Sequence, residues 1–318
     1  MRKMAFVLLL LVLTGCAPKK EEPQFVNTAT HQEFLENGII TGTNDYYAPV
    51  DDRGLVIGVE EYSNGVLTFR SSFAYDSFGN VIQVTEEKDG TSKTSEYKNT
   101  LDEKGRILRQ EIWSEGTMLS FEEHSYDRKG NETRHHSSLW NQIEQETDWR
   151  THTMEYDRKG NLIRKELHWN FNDEYIVWEY ENGQCIRQTS FQEETGLVTE
   201  KQENTYDKNG NQTGTTYHNP VTDKVTERWE YAYDEQGRCI RETRYGKTGE
   251  PEMYREYAYD DEARTMTSTP YNTKGMLHEA HDVYHYDEYG NEILRERYED
   301  GEVYWRISFT WERLETAQ

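Results

Sequence analysis

The sequence is short of aliphatic residues: Leu, Ile, Val and Phe together make up under a fifth of its 318 positions. Combined with a formal net charge of -24, that shortage would ordinarily point to disorder. Basic residues are outnumbered, with 36 Lys and Arg against 60 Asp and Glu, so polyanions such as nucleic acid are poor partners on electrostatic grounds. A mean hydropathy of -1.06 excludes a multi-span membrane protein. Cysteine is scarce, with 3 residues. What the chain does have is aromatic rings: 23 Tyr and 8 Trp, with aromatics at 13%. A disordered chain would not be this aromatic, so whatever apolar contact holds the fold together must come from rings.

Met1 to Cys16 reads MRKMAFVLLLLVLTGC. Arg2 and Lys3 form a positive start, and the apolar run Ala5–Leu13 is too short to span a bilayer as a helix, which needs roughly 20 residues. Residues 1–15 are therefore read as a secretory signal peptide. Leu13-Thr14-Gly15-Cys16 resembles the lipobox of bacterial lipoproteins. The resemblance implies cleavage before Cys16 and acylation of that residue, as with palmitate, placing the protein outside the cytoplasm on a bacterial membrane. In a host with two membranes, the outer one is an option. Residues 16–30, with Pro18 and Pro23, read as a flexible tether, and 31–318 as one domain.

Across that domain a hexamer recurs about every 26 residues, a spacing that marks a repeat architecture. Its copies are Tyr75-Asp76-Ser-Phe-Gly79-Asn80, Leu101-Asp102 to Arg106, Tyr126-Asp127 to Asn131, Tyr156-Asp157 to Asn161, and a shortened Tyr180-Glu181-Asn-Gly183-Gln184. Four more follow at Tyr206-Asp207, Tyr233-Asp234, Tyr259-Asp260, where Ala263 replaces the glycine, and Tyr286-Asp287. Asp suits the first position of a type I turn, and Gly three residues later supplies the φ > 0 that closes a hairpin with a G1 bulge. A second turn signal lies between copies, as in Asn64-Gly65, Asp89-Gly90, Glu115-Gly116 and Asp300-Gly301. Each repeat is thus two strands joined by two turns. The expected fold is all-β: antiparallel hairpin repeats forming an elongated, curled or spiralling meander, with divergent caps at 30–62 and 303–318.

The recurring Tyr-Asp-x-x-Gly-Asn resembles the YD repeats of the bacterial RHS family over about residues 45–305. In large members such repeats build a spiralling β-shell around a toxic C-terminal domain. This chain has too few copies for such a shell, so what the resemblance implies is the strand-turn architecture and a leaning toward surface binding.

No catalytic constellation emerges, and neither a metal nor a cofactor is expected. Cys185 and Cys239 occupy equivalent slots two repeats apart, roughly 19 Å at ~4.8 Å per strand, too far for a disulfide. His278-Glu279-Ala280-His281 with His285 lacks the helix that His-Glu-x-x-His zinc sites require, and His135-His136 is weaker still. The Asp-Gly turns carry Arg or Lys where a calcium loop needs oxygen ligands. The feature with functional leverage is aromatic: Trp113, Phe191, Tyr245, Tyr271 and Tyr298 recur eight residues after a turn glycine, with Trp169 and Trp140 near that spacing and Trp149 beside the longest repeat. Stacked along a sheet they form either the core or a platform for sugar rings. The expected function is a non-catalytic binding or structural module on the cell surface. Its partner is a glycan or an envelope protein reached through sheet edges or turns, with an envelope hydrolase as the rival class.

Overall fold

The computed structural model describes residues 25–36, 38–141, 146–170, 173–272, 275–276 and 280–313. Cys16 and the segment read as a signal peptide lie outside the described residues, as do His278 and Glu279. The described residues are all β, with no helix among them. The first strands are β1 (Phe25–Glu36), β2 (Ile39–Tyr47), β3 (Gly58–Ser63), β4 (Val66–Tyr75), β5 (Val81–Lys88), β6 (Thr91–Leu101) and β7 (Ile107–Ser114). Then come β8 (Thr117–Tyr126), β9 (Glu132–Asn141), β10 (Glu146–Tyr156), β11 (Leu162–Trp169), β12 (Glu174–Glu181), β13 (Gln184–Gln192), β14 (Val198–Tyr206) and β15 (Gln212–His218). The last are β16 (Val225–Tyr233), β17 (Cys239–Tyr245), β18 (Pro251–Asp260), β19 (Thr265–Asn272), β20 (Gly275–Met276), β21 (His281–Tyr286), β22 (Glu292–Glu299) and β23 (Glu302–Arg313).

The repeated hairpin forms as its residues dictate. In the turns at Asp76, Asp127, Asp157, Asp207 and Asp287, one carboxylate oxygen accepts the main-chain N–H two residues on at 2.8 Å and four residues on at 2.9 Å. The other oxygen accepts the side-chain amide of the closing Asn at 2.9 Å. Arg106 and Arg238 fill the Asn role in their copies, donating Nε–H to Asp102 and Asp234 at 2.8 and 2.7 Å. The two irregular copies adapt. Asn182-Gly183 becomes a two-residue loop with φ of 53° and 81°, and where Ala263 stands the left-handed position passes to Arg264, at φ 54°.

Tyrosine links one repeat to the next. The hydroxyls of Tyr75, Tyr126, Tyr206, Tyr233 and Tyr259 donate to the carbonyls of Val56, Ile107, Cys185, Gln212 and Cys239, at 2.5–3.1 Å. Each acceptor lies two residues past the turn glycine of the preceding copy. Val56 reveals a copy that the sequence pattern concealed: Asp51 to Leu55 folds as the same turn, with Asp51 accepting from Arg53 N and Leu55 N and Gly54 at φ 78°.

The sheet does not remain an open meander. Every strand pairs antiparallel with its sequence neighbours, β19 passes directly to β21, and β23 pairs with β1 from Phe25↔Arg313 to Phe34↔Trp305. Twenty-two strands thus close a barrel, and β20 forms a spur on β19 alone. Closure has a local cause. At the repeat hairpins other than Tyr259-Asp260 the register skips one residue, such as Ile82, Leu108, Ile163, Ile240 or Ile293. Such bulges bend the strand and increase its twist, and repeated around the molecule they curl the sheet until its ends meet. The segments expected to cap the ends are instead wall: β1, beginning inside the span read as tether, and β23 form the seam.

Strand spacing and the usual barrel tilt give a wall roughly 40–50 Å across. Strands contact only their neighbours in the ring. Among the described residues the buried apolar side chains are Leu35, Ala48, Val177 and Ala280. The wall is a single layer of sheet.

Candidate functional site

Cross-strand partners share a face, so the register sorts every side chain to one side of the wall. One face carries the Tyr-Asp tyrosines. The other carries ion pairs, such as Arg70–Glu60 at 2.8 Å, Arg228–Glu230 at 3.1 Å and Arg241–Glu256 at 3.4 Å. Trp113, Trp149, Phe191, Tyr245, Tyr271 and Tyr298 all lie on the ion-pair face, while Trp169, opposite Arg150, lies on the tyrosine face. Trp140 takes its backbone place opposite Thr147, and its side chain is outside the described residues.

The rings of this row are half-buried, and their faces are occupied. Lys98 Nζ sits 3.9 Å from the Trp113 centroid and the Arg228 guanidinium 4.4 Å from that of Tyr245. Tyr175 stacks on Phe191 at 4.9 Å, Tyr254 on Tyr271 at 4.7 Å and His281 on Tyr298 at 4.8 Å. These are the offset and cation–π geometries that stabilise cross-strand pairs. Their polar tips are tied as well: Trp113 Nε1 donates to Glu111 at 3.0 Å and the Tyr245 hydroxyl to Glu230 at 2.8 Å. Trp149 differs, being 36% exposed.

A depression of about 460 Å³ on β8, β9 and β10 is lined on the tyrosine face by Ser120, Glu122, Ser137, Leu139, Asp148 and Arg150, while the Trp149 ring turns to the opposite face against His136. Leu139 is 56% exposed there. An aliphatic side chain, two hydroxyls and charges of both signs meet in one open hollow. The longest repeat, singled out by its length and tryptophans, supplies much of this lining.

Beside the hollow runs a ladder that sequence reasoning missed. His124, His135 and His152 are direct cross-strand partners on β8, β9 and β10. Their rings stack at 4.6 and 5.9 Å, tilted by 11° and 17°, and Tyr126 continues the stack at 6.4 Å. His124 Nδ1 lies 2.5 Å from a Glu132 oxygen, and Glu122 Oε2 lies 3.5 Å from His135 Nε2. Burial pushes His152 down to about 4, leaving it uncharged near neutrality, while the His135 ring 3.5 Å away holds Glu122 below the usual carboxylate range. The signal lay in the register: His135-His136 looks like a local pair, yet the two rings point to opposite faces and His135 belongs with residues 11 earlier and 17 later.

Elsewhere the candidates are engaged. His281 stacks on Tyr298 and His285 Nε2 lies 3.4 Å from Glu296. Cys185 and Cys239 are free thiols. In the five Asp-x-x-Gly-Asn turns both carboxylate oxygens are already taken by the turn's own donors.

No protein-family model and no curated protein matches the sequence. Among solved structures the chain is similar to TcdB2-TccC3, at 12% identity and a TM-score of 0.30 over 86% of this chain and 19% of that one. It is also similar to a porin-like protein from Bacteroides uniformis, at 9% identity and a TM-score of 0.29 over 90% of this chain and 98% of that one. A porin-like protein from Bacteroides vulgatus gives 11% identity and a TM-score of 0.29 over 64% and 97%. The chain thus spans about a fifth of the TcdB2-TccC3 chain, and likenesses at these scores go no further than antiparallel strands in series.

Proposed function

We propose that the protein is a bacterial envelope lipoprotein, anchored through acylated Cys16, whose YD-like repeats form a non-catalytic, water-filled binding sleeve. The observation that carries this reading is charge in mid-strand on both faces. Arg109, Glu203 and Arg228 stand on one face, and Glu122, Lys165, Arg255 and Arg295 on the other. A charge facing lipid near the bilayer midplane costs a β-barrel roughly 2–4 kcal/mol, so neither face suits a bilayer. A lipid anchor, at about 0.8 kcal/mol per buried CH₂, holds such a body to a membrane without insertion. Replacing Cys16 by Ser should release the protein from the membrane fraction and abolish incorporation of labelled palmitate. Retention of both would end the lipoprotein reading.

The ligand class favoured is carbohydrate, bound on the ion-pair face where Trp149 offers a partly exposed ring beside Ser138 and His136. A soluble form beginning at Glu21 should bind specific members of a glycan array, and Trp149→Ala should abolish that binding. A blank array from folded protein would reject it. A protein partner is the second reading, favoured by the two rims of exposed turns. Among the described residues each of the twenty-two wall strands is paired on both sides, so this reading rests on the rims.

A further inference from the structure

We propose that Glu122, His124 and His135 form a binding site for one divalent transition-metal ion of the zinc class. The inference is independent of the glycan reading and uses atoms that reading does not need. Glu122 Oε2 lies 3.5 Å from His135 Nε2 and 3.9 Å from His124 Nε2, and the three ligand atoms all fall within 4.8 Å of one another. Ligands bound tetrahedrally at ~2.0–2.1 Å sit roughly 3.4 Å apart. Small side-chain rotations therefore bring all three onto one ion.

Three details prepare the site. The Glu132 carboxylate, 2.5 Å from His124 Nδ1, holds the proton on that nitrogen and presents Nε2 as a lone pair; a carboxylate behind a ligating imidazole is the usual outer support of a metal site. His135 Nε2 is shielded from solvent and has no hydrogen-bond partner among the described residues, a cost that a bound ion would remove. The register fixes the geometry, since His124 and His135 are direct partners and Glu122 is two residues from His124 on the same face. Two imidazoles and one carboxylate select a borderline ion over calcium or magnesium. Three protein ligands also leave one position open, and Glu122 lines the neighbouring hollow, so that position is within reach of a molecule bound there.

The test uses the full-length protein in detergent, stripped with a chelator and titrated with cobalt(II), with zinc(II) then added in competition. The expected result is a visible d–d band that saturates at one cobalt per chain and is erased by one equivalent of zinc. His135→Asn and the near-isosteric Glu122→Gln should each abolish the saturable band, and Glu132→Gln should weaken binding by about 10–100-fold. His218→Asn, remote on β15, should leave the titration unchanged, and far-UV circular dichroism confirms that each variant keeps its β structure. A wild-type protein that shows no one-to-one band would overturn the assignment. So would folded Glu122→Gln and His135→Asn variants that bind cobalt like wild type.

Discussion

At the scale of single residues, each position of the repeat has a separate physical task. The glycine supplies a left-handed φ, the aspartate caps its own turn, and the tyrosine reaches back to the preceding copy. The last two make different predictions. Tyr206→Phe removes one hydrogen bond to the Cys185 carbonyl while keeping the ring, and should cost about 1 kcal/mol in denaturant unfolding. The aspartates govern acid stability. The Asn161 main-chain and side-chain amides hold Asp157 below its ordinary 3.8, and the Asn211 amide does the same for Asp207. A depressed carboxylate contributes stability that is complete above its unfolded value and is lost as pH falls through its folded one. Acid unfolding should therefore begin below about pH 3.8, and Asn211→Ala, which weakens the hold on Asp207, should lessen the acid sensitivity of that hairpin in hydrogen exchange. The aspartate and glycine roles could be read from sequence because turn chemistry is local. The equivalence of Asn80 and Arg106 could not, because it depends on both reaching the same carboxylate oxygen.

At the scale of strands, the seam is the distinctive element. β1 and β23 are held by backbone pairing and by the contact of Glu33 with Arg306, and on its other side β1 is tied to β2 by His31 with Asp45. The hydrogen bond that His31 donates to Asp45 raises His31 above its ordinary 6.5, and the one that Arg306 donates to Glu33 lowers Glu33 below its ordinary 4.5. The raised histidine contributes fully below 6.5 and is lost as pH rises through its folded value, while the depressed glutamate contributes fully above 4.5 and is lost on acidification. β1 should be held tightest to its two neighbours between about pH 4.5 and 6.5. Hydrogen exchange, corrected for intrinsic rate, should show β1 and β2 amides opening more readily at about pH 8.5 than at about pH 5.5. His31→Ala should erase that difference. Strand positions within the repeats were legible from alternating residues and turn signals. β1, β2 and the turn at Asp51 were not, because Val50 stands where a tyrosine marks the other copies and the apolar pattern thins out there.

At the scale of the whole molecule, stability is summed around a ring of neighbour contacts rather than stored in a core. Such an architecture should tolerate the loss of a unit. Joining Thr205 directly to Tyr233 removes one complete period, leaving equivalent positions in register. The shortened chain should retain its β spectrum and unfold cooperatively, with a smaller hydrodynamic radius by size-exclusion chromatography. Aggregation in its place would mean that closure demands the full strand number. All-β repeats could be read from sequence, but closure could not, since it depends on the accumulated twist of every bulge and on a pairing between residues nearly 300 positions apart. The histidine ladder and the hollow escaped for the same reason: both are made by register across strands, which no single stretch of sequence displays.

The pairing of Phe25 with Arg313 has one more consequence. Both ends of the barrel-forming chain emerge at the rim made by the Tyr-Asp turns, so the tube has a front and a back. With a lipid on Cys16, the fully extended tether reaches at most about 30 Å from Phe25, less than the width of the barrel. The front rim would then hang over the membrane like the mouth of an inverted cup, and the back rim, with turns such as Asn64-Gly65 and Asp89-Gly90, would be what an arriving molecule meets first.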